Sequence, residues 1–306
     1  MKTRASSTIS NSSTRLRNAW PRHGATRPLE LSVLLVTVGA VACQSPTAPV
    51  LQAGESCEGQ PRAAVATFAD ANLAARVMAA LGVPTPEDLT CGLLAQLTEL
   101  DASGAGVTSL VGIRNLTGLL FLDISENPIG DASLLGSLPL RFLFARATGL
   151  TSVAWVASLG ELTFLDLGGN SITDVGPLGG LGELTFLDLK ENSVTNVAAL
   201  GGLTLLRFLY LDANSISDLG PLGALTNVTT LSLRANAISE LSALGGLASL
   251  VSLDLSENFT LSDIQPLLDN AGLGQGDFVD LRDTAVACPD ISALRAKGMT
   301  VVSGCP

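Results

Sequence analysis

Hydrophobic and polar positions follow a pattern that repeats every twenty-two residues between Leu162 and Asn258. Each repeat reads Leu-x-x-Leu-x-Leu-x-x-Asn, with valine at the first position of one copy, and an aliphatic residue follows two positions later. Leucines at spacing two lie on one face of a short strand, since side chains alternate across a strand. A fixed period of this length predicts stacked coils rather than a globular domain. The five copies end at Asn170, Asn192, Asn214, Asn236 and Asn258.

The interior of each predicted coil is aliphatic, and stacking covers the top and bottom that a single coil leaves open. The first leucine, the aliphatic residue after the asparagine and a closing pair such as Leu178 with Leu181 point to that interior. The asparagine stands where the chain leaves the strand. We expect its amide to bond backbone groups of its own coil and of the next one, because buried backbone groups need partners.

This pattern resembles the leucine-rich repeat family. The repeat length and the Asp-x-x-Pro-Leu tail, present at Asp174–Leu178 and Asp218–Leu222, resemble the internalin-type bacterial subclass. The resemblance implies an α/β repeat solenoid, a right-handed coil with a parallel β-sheet on its concave face, and a concave face that binds other molecules. It implies no particular partner.

Less regular copies extend the repeats to residues 97–287, which we predict to form about nine coils. The copy ending at Thr148 arrives one residue early and has threonine in place of asparagine, so we expect a local kink there. The return segment after Asn258 is four residues longer than usual, and Val279–Leu281 is predicted to be the last strand of the repeats.

Both ends of the coil are predicted to carry caps, because a solenoid end exposes its apolar interior. Residues 57–96 form the N-terminal cap, with a helix that begins after Asp70 and ends at Gly82, followed by a second short helix. Residues 288–306 form the C-terminal cap, with a helix over Pro289–Lys297 and an extended segment behind it.

The N-terminal segment, residues 1–42, is predicted to be a signal peptide: a basic stretch precedes an apolar run that is too short to span a bilayer. Two processing alternatives stay open. Its Ala-x-Ala ending favours ordinary signal peptidase. A small residue before Cys43 resembles a bacterial lipoprotein box, which implies lipidation of Cys43, although Ala40 departs from the usual leucine. Residues 43–56 are predicted to be a flexible tether.

The five cysteines divide into one at the processing site and two pairs, each of which brackets a predicted cap helix. An exported chain permits disulfide bonds, so we expect Cys57 to pair with Cys91 and Cys288 with Cys305. Five unrelated thiols are the alternative. The predicted location is the cell envelope, with a lipid anchor in the outer membrane, or the secreted fraction.

Charge limits the classes of partner. The first forty-two residues hold six of the 17 basic residues and one of the 28 acids, which leaves a net charge of -16 on the rest. Such an acidic chain disfavours binding to nucleic acid or to anionic lipid surfaces. A membrane contact is expected only through a lipid on Cys43.

A column of phenylalanines is predicted on the concave face, one position before the central leucine of each strand. Five of the chain's nine phenylalanines lie in it on five consecutive coils, followed by Thr230, Ser252 and Phe278, and we expect the five to be partly exposed as an apolar patch. The alternative is that the rings stack and stiffen the sheet. The aromatic strip consists of Phe121, Phe142, Phe164, Phe186 and Phe208, widened by Phe144 and Tyr210 from the neighbouring column.

The neighbouring column is mostly acidic. Stacked carboxylates repel one another, and three interpretations explain their presence. They are solvated without a specific role, they bind a basic protein or peptide ligand, or they bind calcium. Arg146, Lys190 and Arg234, two residues further on, are expected to offset the acids. The acidic column contains Asp101, Asp123, Asp166, Asp188, Asp254 and Asp280, and Asp123, Asp166 and Asp188 are candidate ligand-binding residues together with the strip.

Catalysis is disfavoured by the absence of histidine outside the predicted signal peptide, where His23 lies. The cysteine spacing does not suit zinc, so we expect neither a metal site nor a cofactor. The sequence therefore predicts a non-enzymatic, exported protein that holds a protein or peptide partner on its concave face. A structural cell-envelope protein without a dedicated ligand is the alternative.

Overall fold

A computed structural model describes residues 48–306, and the predicted signal peptide and Cys43 lie outside this range. The described chain forms one ten-stranded parallel sheet whose strands follow chain order, which confirms the predicted repeat solenoid. The strands are β1 (Glu99–Asp101), β2 (Phe121–Asp123), β3 (Phe142–Phe144), β4 (Phe164–Asp166), β5 (Phe186–Asp188), β6 (Phe208–Tyr210), β7 (Thr230–Ser232), β8 (Ser252–Asp254), β9 (Phe278–Asp280) and β10 (Thr300–Val302).

Short helices return the chain from each strand to the next. The α-helices of residues 48–306 are α1 (Ala71–Leu81), α2 (Cys91–Leu94), α3 (Gln265–Asp269) and α4 (Cys288–Ala296). The 3₁₀ helices are Pro86–Asp88, Ile113–Asn115, Ser133–Ser137, Ala154–Ser158, Gly176–Gly180, Ala198–Gly202, Gly220–Ala224 and Ser242–Gly246. No helix within residues 48–306 has the length and apolar character needed to cross a membrane.

One continuous aliphatic core runs through the stack. The central residue of each repeat strand, for example Leu165 and Leu187, is fully buried in it, as are Ile172 and Leu178 of the following turn. Burial of this kind contributes about 25 cal/mol per Å² of apolar surface, so the shared interior is the main source of stability.

The asparagine ladder is present, with one correction to its direction. Asn192 donates from Nδ2 to the carbonyl of Leu167 in the preceding coil at 3.0 Å and to its own coil at Leu189 and Lys190, both at 3.1 Å. Its Oδ1 accepts from the Ile172 amide, also in the preceding coil, at 2.9 Å. The prediction that each asparagine bonds the next coil is wrong. Each asparagine bonds the preceding coil, so the contact between two coils is made by the asparagine of the later coil, as when Asn214 bonds Leu189 and Val194.

The predicted helices at both ends of the repeats are present. Asp70 Oδ1 accepts from the amides of Asn72 and Leu73 at the start of α1, and Gly82 ends the helix with a φ of 68°. The segment expected to lie behind the C-terminal helix is in fact β10, which pairs in parallel with β9. Disulfide bonds join Cys57 to Cys91 and Cys288 to Cys305, which confirms both pairings.

The predicted flexible tether, residues 43–56, partly belongs to the N-terminal cap. Val50 forms a bridge with Val65, and Leu51 is buried. The Asn115 side chain donates to the Glu55 carbonyl at 3.2 Å and accepts from the Cys57 amide at 2.8 Å. Residues 50–56 therefore pack on the cap, because they bring an apolar side chain and backbone groups that find partners there.

Candidate protein-binding face

The sheet has one face toward the aliphatic core and one face away from it, the concave face. Strand register places equivalent residues of successive coils side by side, as in the pairing of Phe164 with Phe186 and of Asp166 with Asp188. Because side chains alternate, the first and third residues of every strand point to the concave face. The structure therefore brings together both columns that the sequence predicts.

The aromatic strip is a hydrophobic cluster of its own, separate from the aliphatic core. Phe164 and Phe186 stack with centroids 4.0 Å apart and planes 8° apart. Phe144 lies 4.5 Å from Phe164, and Tyr210 lies 5.5 Å from Phe186. These are the separations at which aromatic rings attract each other. The two residues that interrupt the acidic column thus widen the strip, as predicted.

The expected exposure of the strip is wrong for its middle. Phe164 and Phe186 are only 7% and 3% exposed, and Phe144 and Tyr210 are buried as well. The physical reason is that rings stacked this closely cover each other's faces. Phe208, at the end of the row, is 39% exposed. Binding by the strip stays a prediction, and its accessible surface lies toward the ends, where Phe121 and Phe142 are half-buried.

The solvated interpretation of the acidic column is also wrong, except at the exposed Asp101. The carboxylates face inward to the turn that follows each strand: Asp166 Oδ1 accepts from the Gly168 amide at 3.0 Å, and Asp188 Oδ1 accepts from the Lys190 amide at 2.9 Å. Each aspartate thus caps its own turn, a role that sequence reasoning missed although aspartate bonding two residues on is a known turn signal. The buried members are Asp123, Asp166, Asp188, Asp254 and Asp280.

Asp166 and Asp188 form the most desolvated acidic pair on this face, and neither is exposed at all. Lys190 Nζ lies 3.2 Å from Asp188 Oδ2 as an ion pair without hydrogen-bond alignment, and 4.6 Å from the centre of the Tyr210 ring. Asp166 Oδ2 has no hydrogen-bond partner among the described residues. Burial, with a smaller contribution from the Asp188 charge, raises the pKa of Asp166 to about 6, and the hydrogen bond from the Gly168 amide acts in the opposite direction.

The three predicted basic residues behave differently from one another. Lys190 does neutralise an acid of the column, and burial raises the pKa of Asp188 against the influence of Lys190. Arg146 pairs with Glu191 at 3.2 Å, and Arg234 pairs with Glu257. Their charges act on the column less directly, by opposing the rise in the pKa of Asp166 and of Asp254 respectively. The offset of the acidic column is therefore partial.

A second acidic position lies further along the face at Asp212. Its Oδ1 accepts from the Ser232 hydroxyl and from the Arg234 amide, the latter at 3.1 Å. Burial raises the pKa of Asp212 to about 6, while the Ser232 hydrogen bond acts in the opposite direction. Within residues 48–306 no group of three or more histidines, cysteines or carboxylates is arranged to hold a metal ion.

Comparisons with known proteins agree with this geometry. Two family models match, one described as Leucine rich repeat over residues 160–216 and one as Leucine Rich repeats (2 copies) over residues 226–269. The solved structure of internalin C2 from Listeria monocytogenes is 31% identical with a TM-score of 0.62, and the match covers 76% of this chain and 93% of that one.

The chain belongs to the internalin-type leucine-rich repeat proteins. A second internalin structure, inlF from Listeria monocytogenes, is 26% identical to this internalin-like protein with a TM-score of 0.70. The match covers 77% of this chain and 68% of the inlF chain. No curated protein matches the chain. The internalin-like repeat fold generally mediates protein–protein interaction through its extended concave surface, and none of the matched families is catalytic.

Proposed function

We propose that this internalin-like protein is a cell-surface or secreted module that holds a protein or peptide partner on its concave face. One observation carries the proposal: the concave face presents a second hydrophobic cluster, built of aromatic rings, that the aliphatic core does not need. Aromatic side chains are enriched at protein–protein interfaces relative to the rest of the surface.

The accessible end of the strip is the best place to test the proposal. Phe164 and Phe186 are buried by their neighbours, so their removal would disturb the face itself. Phe208 is 39% exposed and can be changed with little loss of packing. Phe259 is 73% exposed and lies in a turn outside the strands, which makes it a matched control.

We expect Phe208→Ser to weaken binding of a captured surface partner at least about tenfold, because the most exposed ring of the strip is lost. The partner is identified by cross-linking and mass spectrometry, and affinities are then measured by titration with the wild-type protein, Phe208→Ser and Phe259→Ser. The control should bind like wild type. Equal affinity of all three proteins would remove the concave strip as the binding site.

The second candidate function is a structural cell-envelope protein without a ligand. The mutual burial of Phe144, Phe164, Phe186 and Tyr210 favours it, since rings in this arrangement also stiffen a sheet. It predicts that Phe186→Ser lowers the melting temperature while no interaction is lost in any variant of the strip. The same titration therefore separates the two candidates.

Export is the other half of the proposal. The predicted signal peptide 1–42 and lipidation of Cys43 lie outside the described residues, and the two disulfide bonds support an oxidising compartment. We expect the intact mass of the exported protein to equal that of a chain that starts at Cys43 and carries a diacylglycerol-type lipid and two disulfide bonds. A mass that matches an unmodified chain would exclude the anchor and leave the secreted alternative.

A further inference from the structure

The row of rings on the concave face is interrupted after Phe208. The next two strands carry Thr230 and Ser252 at the same position, and Phe278 follows on β9. Successive strands lie about 4.8 Å apart, so three spacings separate Phe208 from Phe278 by about 14 Å. Threonine and serine are much shorter than phenylalanine, so the row of rings has a gap over these two coils, which we name the notch.

The notch has one aromatic wall that is open. Phe208 touches a ring on one side only, Phe186, at 6.3 Å with planes 39° apart. Its other side faces Thr230 across the sheet, where no ring follows. This is the structural cause of its 39% exposure, the highest in the strip. A ring supplied from outside would continue the row at a separation that aromatic pairs prefer.

The floor of the notch carries free hydroxyl groups. Thr230 and Ser252 are half-buried, and among residues 48–306 neither side chain has a hydrogen-bond partner. By contrast, Ser232 and Ser256 beside them are bonded to Asp212 and Asp254. Two half-buried hydroxyls next to an exposed ring suit a ligand that is aromatic and also forms hydrogen bonds.

Charge at the notch adds a second requirement. On the coils that form it, carboxylates outnumber guanidinium groups, in keeping with the net charge of -16 outside residues 1–42. Complementary charge across an interface favours a basic partner. The carboxylates on or next to strands β6 to β9 are Asp212, Asp254, Glu257, Asp277, Asp280 and Asp283, and the guanidinium groups are Arg207, Arg234 and Arg282. Arg234 pairs with Glu257 and Arg282 with Asp280, which leaves an excess of negative charge.

We propose that the notch is the subsite for a tyrosine side chain in a basic segment of the protein partner. The tyrosine ring stacks on Phe208, its hydroxyl bonds Thr230 or Ser252, and lysine or arginine neighbours are attracted by the excess negative charge of these coils. This inference rests on the proposed function and specifies which residue of the partner the face selects.

The test uses small probes and the intact exported protein. N-acetyl-Lys-Tyr-Lys-amide, its Phe and Leu analogues, and methyl glucoside are titrated while the ring and methyl signals of each probe are followed by NMR. The Tyr peptide should bind about 3- to 10-fold more tightly than the Phe peptide, the effect of one net hydrogen bond. The Leu peptide should be the weakest of the three, since it cannot stack.

Two variants locate the binding. Thr230→Phe continues the row of rings and fills the notch, so it should keep the wild-type melting temperature and lose at least about 90% of Tyr-peptide binding at a fixed concentration. Ser252→Ala should reduce the preference for Tyr over Phe. Phe259→Ser should bind like wild type.

Several results would overturn the inference: equal binding of the Tyr and Leu peptides, wild-type binding by Thr230→Phe, or stronger binding of the glucoside than of any peptide. These outcomes are separate from failure of the proposed function. A partner captured through Phe208 that is insensitive to Thr230→Phe leaves the concave face as the binding site and removes only the notch.

Discussion

Asn192→Ala lowers the free energy of unfolding by about 1–3 kcal/mol, because it leaves buried backbone groups without partners. The side chain holds the carbonyls of Leu167, Leu189 and Lys190 and the amide of Ile172. Alanine can form none of these bonds. The measurement is equilibrium denaturation in urea, followed by far-ultraviolet circular dichroism.

Asn227→Ala is the matched control for this prediction. Asn227 is exposed, and its Nδ2 donates to a single carbonyl, that of Thr204, at 2.9 Å. We expect its unfolding midpoint to stay close to the wild-type value. Similar losses in both variants would mean that the asparagine ladder contributes no more than any surface amide.

Asp166→Asn should raise the free energy of unfolding at pH 7 by about 1–3 kcal/mol, an unusual direction for a substitution in the interior. The asparagine keeps the oxygen that accepts from the Gly168 amide. The substitution removes a buried negative charge that lies beside Asp188. The second carboxylate oxygen of Asp166, Oδ2, has no hydrogen-bond partner among the described residues. A buried and poorly paired charge costs several kcal/mol, so its removal stabilises the fold.

The pH dependence follows from the direction of the pKa shift. Burial raises the pKa of Asp166 from 3.8 to about 6, so the folded state disfavours the ionised form. The destabilisation of the folded state by ionised Asp166 is fully present above pH 6. It decreases progressively as the pH falls toward 4, where the carboxyl is protonated in the unfolded chain as well. Wild-type stability should therefore rise between pH 7 and pH 5.

The Asp166→Asn variant should show a weaker rise over the same range, and Asp101→Asn should show the wild-type rise. Asp101 occupies the same column on β1, bonds the turn through Ser103 and is exposed, which makes it the matched control. Thermal melts in buffers from pH 7 to pH 4 provide the measurement. A wild-type melting temperature that falls steadily from pH 7 to pH 4 would contradict the destabilisation assigned to the Asp166 and Asp188 pair.

The repeat period determined most of what the sequence could predict. Leu165 and Leu187 had to share one interior, and this requirement fixed the register of their strands. The same register places Phe164 beside Phe186 and aligns the other residues of both columns. Both disulfide bonds followed from cysteines that bracket the caps. These features depend on spacing along the chain, which a sequence displays directly.

Exposure within the columns could not be predicted in the same way. Whether Phe186 faces solvent depends on how closely its neighbours stack, and 4.0 Å between rings leaves no face open. The aspartates look like a solvated row until the turn geometry shows that Asp188 bonds the amide two residues later. Packing and turn geometry in three dimensions decide these points, and the repeat pattern is the same in either case.

The separation of the ring cluster from the aliphatic core has an evolutionary consequence. A residue such as Phe208 or Thr230 can be exchanged without touching a single interior leucine, because the sheet lies between the two. Each coil can accordingly acquire a new outward side chain by one mutation while its architecture persists. Related chains of this length could diverge in what they recognise far faster than in how they fold.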